Sequence, residues 1–437
     1  MNRECKLDAY FSRLDASPSW RWHGRVTKVI GQLIESEGPV CCVGEACEII
    51  DHAGNTCAAE IVGFRGPHVL CMPLDKPKGI RFGDQIVAWG RRPSLAVGPE
   101  LMGRVINGEG IPIDAAGSLN CRELWPLDGS PPQPLERKLI NQPLSCGIRA
   151  IDGLITCGRG QRLGIFGGSG VGKSTLIGMM ARGTEADLTV LALVGERGRE
   201  VGEFLESLGD QGRARSVTVV STSNDSPLLR IRAALAATAV AEYWASHGKN
   251  VLLVVDSLTR FAMAQREIGL AAGEPPTAKG YTPSVWAMLA RLVERTGQFS
   301  VGSITAFYTV LMEGDDQQDP LVDTVRSLLD GHIVLDRRLA MQNHYPPISV
   351  LDSLSRLMPS VCHPDHLQRA HELRRLLAAY ARSEDLIRVG AYQKGIDAIL
   401  DRAIALLPQV NQFLQQKPDQ RTELKTAVET LLAFPTS

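Results

Sequence analysis

The run Gly167-Gly168-Ser169-Gly170-Val171-Gly172-Lys173-Ser174-Thr175 follows a strand-like stretch, Arg162–Phe166, and precedes a helical one. It fits the pattern G-x-x-x-x-G-K-[ST] in the strand–loop–helix setting that gives the pattern its meaning. Glycines let successive backbone N–H groups curl around a polyphosphate, and a helix N-terminus adds partial positive charge. Lys173 is expected to reach the β- and γ-phosphates, and the Ser174 hydroxyl to ligate Mg²⁺. A nucleoside triphosphate site is therefore predicted over residues 167–175. A second candidate is Asp256, which ends the apolar run Asn250–Val255. An acid at the carboxyl end of a buried strand beside a phosphate loop is placed to hold the Mg²⁺ shell. An acid there can also cap the next helix, a task Ser257 could fill instead. Glu196 follows the strand-like run Leu188–Val194. It is placed either to orient an attacking water or to open a helix as a solvated charge, and physics alone leaves both open.

These residues need a scaffold. From Gln161 to about Leu357, strand-like runs (162–166, 188–194, 216–221, 250–255, 300–308, 332–335) alternate with helical patterns (226–246, 258–271, 283–296). Near-continuous apolar strands with helical crossovers predict an α/β fold, a parallel sheet covered on both faces. Before it, short β-branched runs at 25–30, 46–50, 60–64, 69–72 and 85–88 predict a small antiparallel barrel. Pro126, Pro131, Pro132 and Pro134 mark an irregular passage in between. From His366 onward only helical spacing remains, including Leu373, Leu376, Leu377 and Tyr380, then Ile396, Ile399, Leu400, Ala403, Ile404 and Leu407. The expected domains are a lead-in arm at 1–20, the barrel at 21–95, the P-loop domain at 96–360 with a loop-rich lead-in at 96–160, and helices at 361–437.

Composition narrows the function classes. With 437 residues, 47 Lys+Arg against 48 Asp+Glu and a formal charge of -1, binding by bulk electrostatics to nucleic acid or an acidic membrane is not expected. No uncharged apolar stretch is long enough to span a bilayer, and the first residues lack the apolar core of a signal peptide, so a cytoplasmic protein is expected. Ten cysteines without a CxxC pair read as buried hydrophobes or free thiols. The cluster Cys362-His363-Pro364-Asp365-His366 lacks a partner cluster for zinc and reads as a polar loop.

The whole set of motifs resembles the protein-export ATPases of flagellar and injectisome-type (type III) secretion systems, relatives of the catalytic subunits of rotary ATP synthases. The resemblance runs over nearly the whole chain. It rests on Gly158-Arg-Gly-Gln-Arg162, Gly195–Val201, the run Asp256–Glu267, Gly273-Glu-Pro-Pro276, Gly302–Val310, Glu313–Pro320, Asp330–Leu335, His344-Tyr345-Pro346 and Val389-Gly-Ala-Tyr392 with Gly395. It implies a RecA-like P-loop core with an N-terminal barrel and a C-terminal helical domain, hydrolysing ATP with Mg²⁺. It makes Glu196 the catalytic glutamate, where non-catalytic relatives carry Gln, and sets Arg197 beside it at the γ-phosphate. Tyr345 becomes the aromatic against the adenine, and Arg356 the arginine finger reaching a neighbouring subunit's site, which implies a homohexameric ring. The barrel would stabilise that ring, and residues 1–20 would bind a stator or regulator protein. The C-terminal helices would face the export gate, stalk protein and chaperone–substrate complexes at the cytoplasmic face of the inner membrane. The loop Gly273–Tyr281, with Lys279, would line the pore. Asp336 and Pro347 depart from the family's usual small residues. The GDDQQDP block and the Val389–Gly395 run lean towards the flagellar branch over the injectisome one. A hexameric RNA translocase, a non-hydrolysing ring subunit and a rotary synthase subunit are the competing readings. The first needs a clustered basic and aromatic strand face that Trp22, Phe64, Phe82 and Trp89 do not form.

Overall fold

The computed structural model describes residues 21–312 and 319–435. The expected arm at 1–20 and most of the Glu313–Pro320 block lie outside the described residues.

Residues 23–88 close into a six-stranded antiparallel barrel, in the order His23–Ile30, Leu33–Glu37, His68–Pro73, Thr56–Arg65, Ala46–Ile50, Gln85–Ala88 and back to the first. Alternate residues such as Val26, Ile34, Ile49, Ile61 and Ile86 fill its interior. The strand Leu33–Glu37 was not anticipated, because its residues Glu35 and Ser36 are polar yet buried. Arg65 neutralises Glu35, so the acid can sit inside the rim. The barrel is tied to the next domain by Arg232, which grips Glu60 through two N–H groups at 2.8 and 3.1 Å, and by Ser226 Oγ donating to the Leu74 carbonyl.

The central sheet runs Ile348–Ser355, Gly331–Leu335, Arg162–Gly167, Ser303–Leu311, Asn250–Asp256, Leu188–Glu196, Ser216–Thr222 and Val105–Asn107. Every pairing along this order is parallel except that of the first two strands. Helices Pro227–Ser246, Leu258–Ala272 and Pro283–Glu294 match the expected runs, the first two capped by Ser226 and Ser257. One strand expectation needs correction, and two strands were not anticipated. The run 300–308 begins instead at Ser303, because Gly302 turns with φ 67° against the Ala245 carbonyl, where a side chain would collide. Ile348–Ser355 and Val105–Asn107 add unexpected edges, the former carrying the exposed Leu351, Asp352 and Leu354 that broke its apolar signature.

The proline-rich passage is partly regular. Ser94–Val97 pairs with Glu123–Pro126, and Pro134 opens a short 3₁₀ turn. The fully buried Arg295 anchors the passage by donating to Glu242 at 2.7 Å and to the Leu127 carbonyl at 2.7 Å. The C-terminal helices are Pro364–Arg388, Ala398–Leu414 and Leu424–Leu432. Ile396 is not on a helix face: it precedes the second helix and is 73% exposed. The segment 363–366 is a helix start and not a polar loop. His363 caps it, and the buried His366 bonds the Gly153 carbonyl through Nε2 at 2.8 Å. Cys47, Cys71, Cys146 and Cys157 are buried free thiols, whereas Cys42 is exposed.

Candidate nucleotide site

The phosphate loop joins the strand Arg162–Gly167 to the helix Lys173–Gly183. Gly170 and Gly172 take left-handed conformations, φ 78° and 91°, which only glycine adopts without strain. The helix opens on Gly172 with no side-chain cap, so its first N–H groups are left for an anion. Ser169, Gly170, Ser174 and Thr175 are exposed, while Gly167, Gly168 and Val171 are buried beneath them. The loop is thus anchored below and open above.

Parallel register brings the acids to the same edge. Strand Asn250–Asp256 lies between Ser303–Leu311 and Leu188–Glu196, with Val255 opposite Tyr308 and Leu193 opposite Asp256. Asp256 is buried, accepts a 2.6 Å hydrogen bond from Thr309 Oγ1, and lies 2.8 Å from Lys173 Nζ, all through Oδ1. Ser257, not Asp256, caps the following helix by accepting from the Arg260 amide. The carboxylate is not spent on capping.

Glu196 ends its strand through a bulge at Gly195, φ 68°. Its carboxylate is 3.2 Å from Arg260 Nε, one turn into the helix that Ser257 caps. Burial, then the negative charge of Asp256, pushes the Glu196 carboxyl up to about 7, against the pull of Arg260 and Lys173. Such a carboxylate is poised to exchange a proton near neutrality. Arg197 does not join this cluster. It is 75% exposed and pairs with Glu200 at 3.3 Å.

Tyr345 does join. A methyl group built on Gly172 would lie 3.8 Å from its ring and 3.9 Å from Pro347 Cδ. Tyr345 is half-exposed and lines a cleft of about 1260 Å³ with Arg149, Phe413 and Gln416 of the flanking helical region. The two departures meet in this turn: Asp336 caps the helix Arg337–Met341, and its amide donates to the Pro347 carbonyl at 2.8 Å.

Arg356 lies elsewhere. Leu335 pairs with Ile348 and Gly331 with Ser355, so Arg356, one residue further on and opposite Asp330, stands five strand residues away from the phosphate-loop edge, roughly 16 Å. It is exposed, and its amide donates to the Asp330 carbonyl at 3.0 Å. It cannot serve its own chain's phosphate loop. Lys279 pairs with Asp319 at 2.8 Å. The sequence had given no role to Thr309 or Arg260. Arg260 was legible in principle as one turn beyond Asp256, whereas Thr309 required the register of two strands.

Hard oxygen donors, the Ser174 hydroxyl and the Asp256 carboxylate, fit a Mg²⁺ ion, which takes few protein ligands beside substrate phosphates.

Fold and loop together define a P-loop ATPase domain carried between a barrel and a helical bundle. The ATP synthase alpha/beta nucleotide-binding domain model matches residues 147–355, its beta-barrel domain model 26–90, and the T3SS EscN ATPase C-terminal domain model 362–433. A flagellum-specific ATP synthase of Bacillus subtilis is 49% identical, covering 98% of this chain and 99% of its own. A type 3 secretion system ATPase of Xanthomonas euvesicatoria is 48% identical, covering 94% and 93%. The structure of the assembled ATPase EscN from the enteropathogenic E. coli type III secretion system superposes with a TM-score of 0.89 at 44% identity, covering 93% and 98%. The chain belongs to the family of flagellar and type III secretion ATPases, related to the alpha/beta subunits of ATP synthases.

Proposed function

We propose that this protein hydrolyses ATP within a homohexameric ring and couples that reaction to protein export through a flagellar-type apparatus. The observation that carries the reading is the division of the site. Lys173, Ser174, Asp256 and Glu196 gather at one edge of the sheet, while Arg356 is exposed at the other. A head-to-tail ring brings the second edge of one subunit to the first edge of the next.

In this reading the loop 167–175 cradles the polyphosphate by its N–H groups, and Lys173 holds the β- and γ-phosphate oxygens. Ser174 and Asp256 would hold a Mg²⁺ ion, which would supply charge neutralisation at the phosphates. Glu196 orients the attacking water and accepts its proton in an in-line displacement at the γ-phosphorus. Arg260 keeps Glu196 aimed, Arg197 swings from Glu200 to the γ-phosphate, and Tyr345 packs on the adenine. Arg356 of the neighbour stabilises charge on the transferring oxygens.

Family membership supports the remaining assignments. These are a ring-stabilising barrel, a regulator-binding arm at 1–20, a pore loop carrying Lys279, and C-terminal helices facing stalk, chaperones and export gate at the inner membrane. A complex of EscN with its central stalk EscO superposes with a TM-score of 0.87. Among the described residues no helix is long and apolar enough to cross a membrane, so attachment is assigned to the apparatus. The flagellar branch is supported by the Val389–Gly395 run in the sequence, while flagellar and injectisome relatives match at overlapping identities, 42–50% and 46–48%.

Steady-state hydrolysis per chain, measured across protein concentrations with and without RNA, tests the reading. Specific activity should climb cooperatively with concentration and ignore RNA. Strict RNA dependence would favour a translocase and overturn it.

A further inference from the structure

Gln416 is 3% exposed and lies just past the helix Ala398–Leu414. Its side chain is fully engaged. Nε2 donates to the carbonyls of Gly147 at 2.8 Å and Gln420 at 2.9 Å, and Oε1 accepts from the Arg149 amide at 3.0 Å. Its own amide donates to the Tyr345 carbonyl at 2.9 Å. Arg149 completes a clamp by donating from its guanidinium to the carbonyls of Phe413 at 2.8 Å, Gln412 at 3.3 Å and Gln415. These carbonyls end a helix, where a cation is favoured.

The other jaw is rigid. Buried Asp152 accepts from the amides of Cys146 at 2.8 Å and Gly147 at 3.2 Å, and from Ser145 Oγ at 2.9 Å. Gly147, at φ 78°, packs so closely on Gly183 that a Cβ would stand 2.7 Å from its Cα. Gly183 ends the helix that begins at the phosphate loop. One buried glutamine therefore joins the end of the phosphate-loop helix, the C-terminal helical region and the Tyr345 turn.

We infer that Gln416 is a positioning residue for nucleotide-base recognition, holding the Tyr345 turn beside the phosphate loop so that affinity for the base depends on docking of the C-terminal helices. The inference rests on the reading that Tyr345 packs on the base. The link reaches the phosphate-loop helix only at its far end, Gly183, and not the loop, so polyphosphate binding is expected to be independent of it.

Competition binding on the full chain, with ATP and inorganic tripolyphosphate as probes, separates the possibilities. Gln416→Ala keeps the backbone amide that meets the Tyr345 carbonyl but removes the side-chain bonds that hold this amide in place, so it should weaken ATP about five- to tenfold and leave tripolyphosphate unchanged. Gln416→Glu, which keeps the acceptor for Arg149 but loses both donors, should show the same selective loss and guards against misfolding of the first variant. In a Tyr345→Ala background, Gln416→Ala should add no further selectivity loss. If Tyr345→Ala is selective while both Gln416 variants weaken the two ligands equally or neither, the inference fails and the base reading stands. If Tyr345→Ala itself leaves the ratio of the two affinities unchanged, the base reading fails.

Discussion

The two ends of the central sheet are built for different tasks. At the phosphate-loop end the charges of the site pair inside the chain: Lys173 with Asp256, Glu196 with Arg260. At the other end Arg162, Asp330 and Glu294 form a compact network, Arg162 lying 2.6 Å from Glu294 and 3.1 Å from Asp330. Arg356 projects from that network into solvent, held by its backbone alone. On the reading proposed above, the contrast sets a half of the machinery already paired within the chain against a half lent by the neighbouring subunit. Preorganised charges cost no rearrangement at the moment of reaction, whereas a lent cation makes reaction conditional on assembly.

The largest expected effect comes from the lent half. Arg356→Ala should lower the hydrolysis rate by about 10³–10⁵-fold while nucleotide binding by isolated chains is retained, as steady-state assays and calorimetry would show. Equal loss of binding would place Arg356 in its own chain's site. Glu196→Gln should cost about 10²–10⁴-fold in rate with ATP affinity preserved, which single-turnover measurements would register.

A subtler effect is in pH. Glu196 must be ionised to accept a proton, and its pKa is raised to about 7, so the rate should fall as pH drops through that value and level off above it. Because Arg260 favours the ionised form, Arg260→Ala should move this acid limb to higher pH. A limb left in place would deny Arg260 its part. At the opposite end, Asp330→Asn should be felt in stability, not chemistry. Losing the charge that Arg162 contacts from its amide and guanidinium should cost about 1–3 kcal/mol in chemical unfolding.

The phosphate loop, Asp256 and the layered order of the core were readable because each depends on local pattern: glycines where φ must be positive, apolar runs where both sheet faces are covered. Pairings were not. Thr309 meets Asp256 only through the pairing of two strands, 53 residues apart in the chain, and Arg260 meets Glu196 beside a strand end that bulges at Gly195, where a Cβ would crowd Arg260. The same limit explains the missed strand Leu33–Glu37, whose acid is buried because an arginine from another strand arrives beside it. Resemblance supplied Tyr345 and Arg356. Geometry then divided them, setting one at the phosphate loop and the other out of its reach.

Mixing two inactive variants tests that division most directly. Glu196→Gln chains and Arg356→Ala chains, each inactive alone, should regain activity when co-assembled. At every interface where an Arg356→Ala subunit's intact Glu196 meets an intact Arg356 from the other variant, the site is whole, about a quarter of interfaces in a random ring. Co-assembled rings that stay as inactive as either parent would contradict a site shared between neighbours.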